Sequence, residues 1–269
     1  MKRYIVVDKD IGETPLAAIQ KWKRQNPAYA DTSASYAGRL DPMASGKLLI
    51  LLGDECKRQP AYTGLDKEYE IEVLLSFGSD TGDVLGIPTY NEQPITVDKR
   101  TLADVLHRER GAQIRAYPLF SSKTVNGTPL FLHALNGTLG DIPVPEHIER
   151  IYHIRHQSSY TISHTELKAR ITNLLDHVPR TDEPSKRLGE DFRVDAIRAH
   201  WESVFTVARE RNFIVLRLRV TCASGTYMRS LAGRIGTALG TKALALSIRR
   251  TKIGTYLPVW RTGIWLRTF

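Results

Sequence analysis

One carboxylate in this sequence stands where a reactive group would have to be held. Asp41 lies within Tyr36-Ala37-Gly38-Arg39-Leu40-Asp41-Pro42-Met43-Ala44-Ser45-Gly46, just before the aliphatic run 47–52. A residue that precedes proline is pushed toward extended geometry. Gly38 and Gly46 allow a tight backbone path on either side. The aliphatic run is short and ends at Gly53, so it reads as a buried strand. The pattern offers a carboxylate on a stiff loop at a sheet end, with Arg39 two residues away. A carboxylate nucleophile can split one hard bond-breaking step into two easier ones. A lone Asp-Pro in a loop is more often only a turn, so the rest of the chain must carry the case.

Other segments bear chemistry-capable groups. Ser224-Gly225-Thr226-Tyr227-Met228-Arg229 opens a helix predicted over 226–239, with Leu231, Ile235 and Leu239 on one stripe. Thr226 is its expected cap, which puts Arg229 in the first turn, within reach of a loop at the sheet end. Tyr69 falls in a strand at 68–77, where Tyr69, Ile71 and Val73 face one way and Glu68, Glu70 and Glu72 the other. The turn Ser79-Asp80-Thr81-Gly82-Asp83 follows.

These groups need a scaffold, and periodicity supplies one. Strands are predicted at 4–7, 47–52, 68–77, 148–162, 213–221 and 243–248. Thr14-Pro15 starts a helix with Leu16, Ile19 and Trp22 inward. Asp54 caps a short helix that Pro60 interrupts. Further helices are expected at 98–110, 129–135, 163–175 and 195–204. The 163–175 helix has Ser163 and Glu166 at capping-box spacing. Asn126-Gly127 marks a hairpin, and the charged stretch 179–191, with Pro184 and Gly189, reads as a loop. Strands and helices mix without strict alternation, which predicts an α+β fold.

Composition narrows the class. The chain has 269 residues with net charge +9, a balance suited to a polyanionic partner. Cys56 and Cys222 form no disulfide framework and no zinc spacing. There is no apolar run of about eighteen residues, and the residues before Asp8 are too few for a signal peptide. A cytoplasmic protein without membrane contact is expected.

Five segments resemble, in order, those of the TruB family of tRNA pseudouridine synthases. They are Val6-Val7-Asp8-Lys9 leading to Gly12; the Asp41 motif running into Gly53-Asp54-Glu55-Cys56-Lys57; Lys67-Glu68-Tyr69-Glu70 with Gly78-Ser79-Asp80-Thr81-Gly82-Asp83; Pro118-Leu119-Phe120-Ser121-Ser122-Lys123 with Val125-Asn126-Gly127; and Gly225-Thr226-Tyr227-Met228-Arg229 with Ile248-Arg249-Arg250 behind it. The sequence departs from the family pattern at Asp10, where the family has proline, at Tyr36, where it has histidine, and at Phe131, where it often has tyrosine.

The resemblance implies a pseudouridine synthase-like catalytic domain, a mixed, largely antiparallel central sheet flanked by helices. One domain spans 1–269, with an insertion at 163–203 and no C-terminal RNA-binding module. It implies isomerisation of a uridine in structured RNA, the T arm of tRNA above all, by a monomer without cofactor or metal. By resemblance Asp41 is the nucleophile, Arg229 its counter-charge and Tyr69 the aromatic face for the extruded base. Ile248 stands opposite that base. Substrate contacts are expected from Lys9, Tyr36, Gly38, Arg39, Lys57, Asp80, Lys123, Arg249 and Arg250. Two alternatives stay open: a synthase acting on ribosomal RNA, and a non-catalytic RNA-binding or RNA-folding protein on the same scaffold.

Overall fold

Apolar runs of period two or less become strands, and these carry most of the core. The computed structural model describes residues 2–178, 193–208, 211–259 and 262–269. In chain order the elements begin with β1 (Tyr4–Lys9), α1 (Pro15–Gln25), β2 (Ala34–Ala37), β3 (Ala44–Leu52), α2 (Gln59–Thr63) and β4 (Asp66–Leu75). Next come β5 (Phe77–Ser79), β6 (Pro88–Tyr90), α3 (Lys99–Arg108), β7 (Gly111–Ala116), β8 (Thr124–Val125), β9 (Thr128–Pro129) and α4 (Leu130–Leu135). The remainder holds β10 (Glu146–Ser163), α5 (His164–Asp176), α6 (Val194–Val207), β11 (Asn212–Cys222), α7 (Met228–Ala238), β12 (Ala243–Val259) and β13 (Thr262–Thr268).

One sheet organises the molecule, in the order β1-β3-β12-β4-β11-β10-β7, with β2 added to β3 and β13 to β12. β3 and β12 run parallel, and the other neighbours in this sheet are antiparallel. The fold is therefore α+β with a mixed, largely antiparallel sheet. Its register decides the site. Ile248, Arg249 and Arg250 of β12 lie opposite Ala44, Ser45 and Gly46 of β3 on one side. On the other side they face Ile71, Glu70 and Tyr69 of β4. Three segments distant in sequence thus meet at one place.

Local signals account for many boundaries. The Thr14 hydroxyl accepts the Ala17 amide at 3.1 Å, and Asp98 accepts the amides of Arg100 and Thr101. Ser163 and Glu166 form the reciprocal capping box that opens α5. Asn126 and Gly127 both have positive φ, 50° and 78°, as a tight hairpin with right-handed strand twist requires.

Other expectations are corrected. Leu16 is exposed, because the buried stripe of α1 runs through Pro15, Ala18 and Ile19, and Leu16 lies off it. Pro60 starts α2 instead of interrupting a helix. Asp54 makes no cap bond and pairs with Lys57 at 2.7 Å. Thr226 does not cap α7; its hydroxyl donates to the Ala223 carbonyl at 3.1 Å. The amide of Tyr227, the residue before α7, donates instead to buried Glu149 at 3.2 Å. β2 and β13 carry no clear sequence signal. The loop expected at 179–191 lies outside the described residues. No helix among the described residues is long and apolar enough to cross a membrane, and no group of three His, Cys, Asp or Glu side chains there is placed to hold a metal ion.

α6 buries Val194, Ile197, Trp201 and Phe205. Trp201 is 1% exposed. Its ring stacks on Phe205 at 5.4 Å and lies against Phe77 at 5.7 Å, while its Nε1–H donates to the Val84 carbonyl at 3.0 Å. Replacing a fully packed Trp with Ala costs about 3–5 kcal/mol, so Trp201→Ala is expected to lower the thermal midpoint sharply. Trp201→Phe keeps most of the packing but strands the Val84 carbonyl, at about 1–3 kcal/mol. A loss below about 1 kcal/mol for Trp201→Ala by equilibrium denaturation would contradict this role.

Candidate active site around Asp41

The loop that bears Asp41 is clamped from beneath. Arg250 is 1% exposed. Its guanidinium donates to the carbonyls of Lys47 at 2.7 Å, Gly38 at 3.1 Å and Arg39 at 3.3 Å. Lys9 is fully buried, and its amine donates to the carbonyls of Asp10 and Glu13, both at 2.8 Å, and Pro42 at 3.4 Å. Burial lowers that amine to about 8. Gly46 has φ of 100°, and a Cβ there would lie 2.3 Å from the Arg250 carbonyl oxygen, so no side chain fits. Lys9 and Arg250 were expected to meet phosphate. The structure corrects this: both spend their donors on backbone carbonyls, where RNA has no access. Lys67, buried beside Gly38, plays a similar part for the carbonyls of Thr63 and Leu65 and the Ser224 hydroxyl.

Asp41 itself stays open, with 37% of its side chain exposed, while its partner Arg229 is 5% exposed. Arg229 Nε donates to Asp41 Oδ2 at 2.8 Å. Nη1 donates to the Thr81 carbonyl at 2.6 Å and Nη2 to the Phe120 carbonyl at 3.1 Å. A second carboxylate, Asp83, stands 3.5 Å from Nε. Asp83 is buried and accepts from the Thr81 hydroxyl at 2.8 Å and the Leu85 amide at 2.9 Å. Burial pushes its carboxyl up to about 6, against the pull of Arg229. The guanidinium is therefore fixed by two loops and two carboxylates, and one of those carboxylates faces solvent.

The surroundings are aromatic and apolar. Tyr69 is 9% exposed, and burial raises its phenol above its ordinary value, with the Arg250 guanidinium pulling the other way. It therefore stays protonated at neutral pH. Ile248 is buried, opposite Ile71. Tyr227 is half-buried; burial, then the nearby charge of Asp41, pushes its phenol up to about 12. It meets Tyr117 and His147 edge-on at 6.2 and 5.7 Å, and those two rings stack at 4.1 Å. An open groove of about 390 Å3 runs beside Arg229, lined among others by Thr81, Gly82, Leu119, Ser230 and Lys242.

The remaining sequence-predicted residues scatter around this centre. Gly38 turns the loop with φ of 81°. Arg39 is exposed two residues from Asp41. Lys57 is exposed and paired with Asp54, Arg249 is exposed and paired with Asp8 at 2.9 Å, and Lys123 sits over the Tyr117 ring at 5.2 Å. Tyr36 is half-buried on β2 against the core, its carbonyl accepting from Gln59 at 2.7 Å. Asp80 accepts from the Ile87 amide at 2.8 Å and pairs with Arg193 at 2.8 Å. The sequence points to Asp80 as a substrate contact and does not single out Asp83, the carboxylate that faces Arg229 at 3.5 Å. Both stand in the same six residues, so spacing marks them equally; burial separates them. Tyr227, inside the Arg229 motif, was also passed over.

Such a site presents one solvent-facing carboxylate, a pinned guanidinium and a protonated phenol at a sheet end. The sequence model of TruB family pseudouridylate synthase (N terminal domain) matches residues 27–173, which include Asp41, Tyr69, Asp83 and Lys123. The tRNA pseudouridine synthase B of Azoarcus sp. (strain BH72) is 31% identical over 252 residues, covering 94% of this chain and 65% of that protein. The protein of the same name from Aeromonas salmonicida (strain A449) is 28% identical, with 94% and 61% covered. The chain thus spans a little under two thirds of the length of these relatives. In fold it is similar to a chain of the crystal structure of a Cbf5-Nop10-Gar1 complex, with a TM-score of 0.54 at 19% identity, covering 93% of this chain and 48% of that one. With more than half of its residues, the Asp41 loop among them, inside the family's own sequence pattern, the chain belongs to the TruB family of pseudouridylate synthases.

Proposed function

We propose that the protein isomerises a uridine in structured RNA to pseudouridine, and that its substrate is the T arm of tRNA. The observation that carries the reading is the contact between Asp41 Oδ2 and Arg229 Nε at 2.8 Å, with the guanidinium buried and the carboxylate open. The names of the curated relatives support tRNA as the substrate.

The chemistry follows from that pair. The reaction breaks the bond between the sugar carbon C1′ and N1 of the base and makes one from C1′ to C5. C5 then loses its hydrogen and N1 gains a proton, so no oxidant or reductant is consumed. A base inside a helix is out of reach, so the uridine must leave its stack. Asp41 acts as the nucleophile that carries the substrate between bond breaking and bond making. Arg229 pairs with that carboxylate at 2.8 Å and fixes its direction toward the bound base. Tyr69 is the aromatic face for the base and a phenol within reach of its moving proton. Arg39, Lys57, Lys123 and Arg249 are the exposed cations that meet phosphate, and they give affinity that weakens with salt.

The direct test is to incubate the protein with a tRNA transcript and with a ribosomal-RNA fragment, then map pseudouridine at base resolution. The expected product is one pseudouridine in the T loop. Modification confined to the ribosomal fragment, or none in either RNA, would overturn the proposal.

Tyr36 tests how the RNA is met. It stands where the family has histidine, at the edge of the Asp41 loop. Tyr36→His is expected to keep activity on a T-arm stem-loop. Tyr36→Ala is expected to lose affinity or single-turnover rate by roughly tenfold, the order of one lost stacking contact. A lower thermal midpoint with an unchanged rate in Tyr36→Ala would show that the ring serves packing alone.

A further inference from the structure

Arg193 opens α6 in a backbone state that long side chains rarely adopt. Its φ is 57° and ψ 33°, the left-handed region. Such strain persists where the surroundings over-determine it. The surroundings here are two loops of the site. Arg193 Nη2 lies 2.8 Å from Asp80 Oδ2, and its guanidinium carbon is 4.7 Å from the centre of the Phe120 ring. Arg229 holds the same two loops from the inside. It donates to the carbonyl of Thr81, next to Asp80, at 2.6 Å, and to the carbonyl of Phe120 itself at 3.1 Å.

The far end of the turn is fixed by the same helix. Trp201 donates to the Val84 carbonyl at 3.0 Å, one residue past Asp83. α6 therefore touches the turn that carries Asp80 and Asp83 on both sides of Thr81. The two contacts differ in kind. Trp201 is buried and contributes stability. Arg193 and Asp80 keep 29% and 32% of their side chains exposed, so water screens the pair and its contribution to stability is small. What the pair supplies is position, together with a flat guanidinium against Phe120.

We infer that Arg193 is a positioning residue. By joining Asp80 to Phe120 it fixes the two carbonyls that aim Arg229 at Asp41. It stands at the start of α6, so this helix completes the site from outside. The inference rests on the reading of Asp41 and Arg229 as the catalytic pair.

Arg193→Gly is the test, because glycine adopts a φ of 57° freely and the helix start survives. Two quantities are read on the whole protein. One is hydrogen exchange at the Nε–H of Arg229, followed by 15N NMR. The other is the single-turnover rate on a T-arm stem-loop at saturating RNA, with its Kd. Exchange is expected to quicken and the rate to fall about tenfold, as for a displaced catalytic group, with Kd within about twofold. The thermal midpoint should hold or rise. Arg193→Lys keeps the charge without the flat face and is expected to fall between. Unchanged exchange would overturn the inference. So would a raised Kd at an unchanged saturating rate, which marks a phosphate contact, or a lower midpoint at an unchanged rate, which marks a purely structural role. If the wild-type protein forms no pseudouridine, the catalytic reading fails by itself, and the exchange at Arg229 still decides whether Arg193 positions it.

Discussion

A guanidinium cannot be buried unpaired, and Arg229 is 5% exposed. Taking such a charge out of water costs several kcal/mol unless oxygen atoms surround it. The fold meets this demand from elements far apart in sequence: Thr81 and Asp83 after β4, Phe120 after β7, and Asp41 before β3. Satisfying Arg229 is therefore the same act as assembling the site. Glu149 of β10 adds the other half, since it takes the Tyr227 amide and the Arg234 guanidinium and so sets where α7 begins.

A second set of buried cations works differently. Arg250 and Lys9 donate to carbonyl oxygens of the Asp41 loop and its neighbours, and their hydrogen bonds do not go to the carboxylate itself. The loop is held through its backbone, while Asp41 is held through its side chain by Arg229. That division keeps one face of the carboxylate available. It also changes the meaning of the positive charge. Part of the +9 balance is structural, and the solvent-facing share includes Arg39, Lys123 and Arg249.

Local chemistry was legible in the sequence, and burial was not. The caps at Thr14 and Ser163, the Asn126-Gly127 hairpin and the strand that follows Asp41 depend on near neighbours, so spacing revealed them. The pairing of Arg229 with Asp41 was legible because the whole motif agreed with one family. Lys9 and Arg250 were misread because a long cation in a motif looks the same whether it meets phosphate or a carbonyl. For Arg250 the approach of β12 to β3, a contact across some two hundred residues, settles which; for Lys9 it is burial against the Asp10 and Glu13 carbonyls and the Pro42 carbonyl. Asp83 escapes a sequence reading for a similar reason: its turn carries two carboxylates, and tertiary packing turns one toward Arg229. Thr226 looked like a cap, but Glu149, from another strand, does that work.

The central claim is that Asp41 performs a covalent step and that the rest of the site exists to hold it. Asp41→Asn keeps the shape and leaves an oxygen for Arg229 Nε while removing the nucleophilic charge. The decisive measurement is single-turnover pseudouridine formation by this variant on a folded tRNA, with RNA affinity measured on the same sample. The account predicts no detectable product and affinity within a few-fold of the wild type. Product formed at a rate near that of the wild type would contradict it.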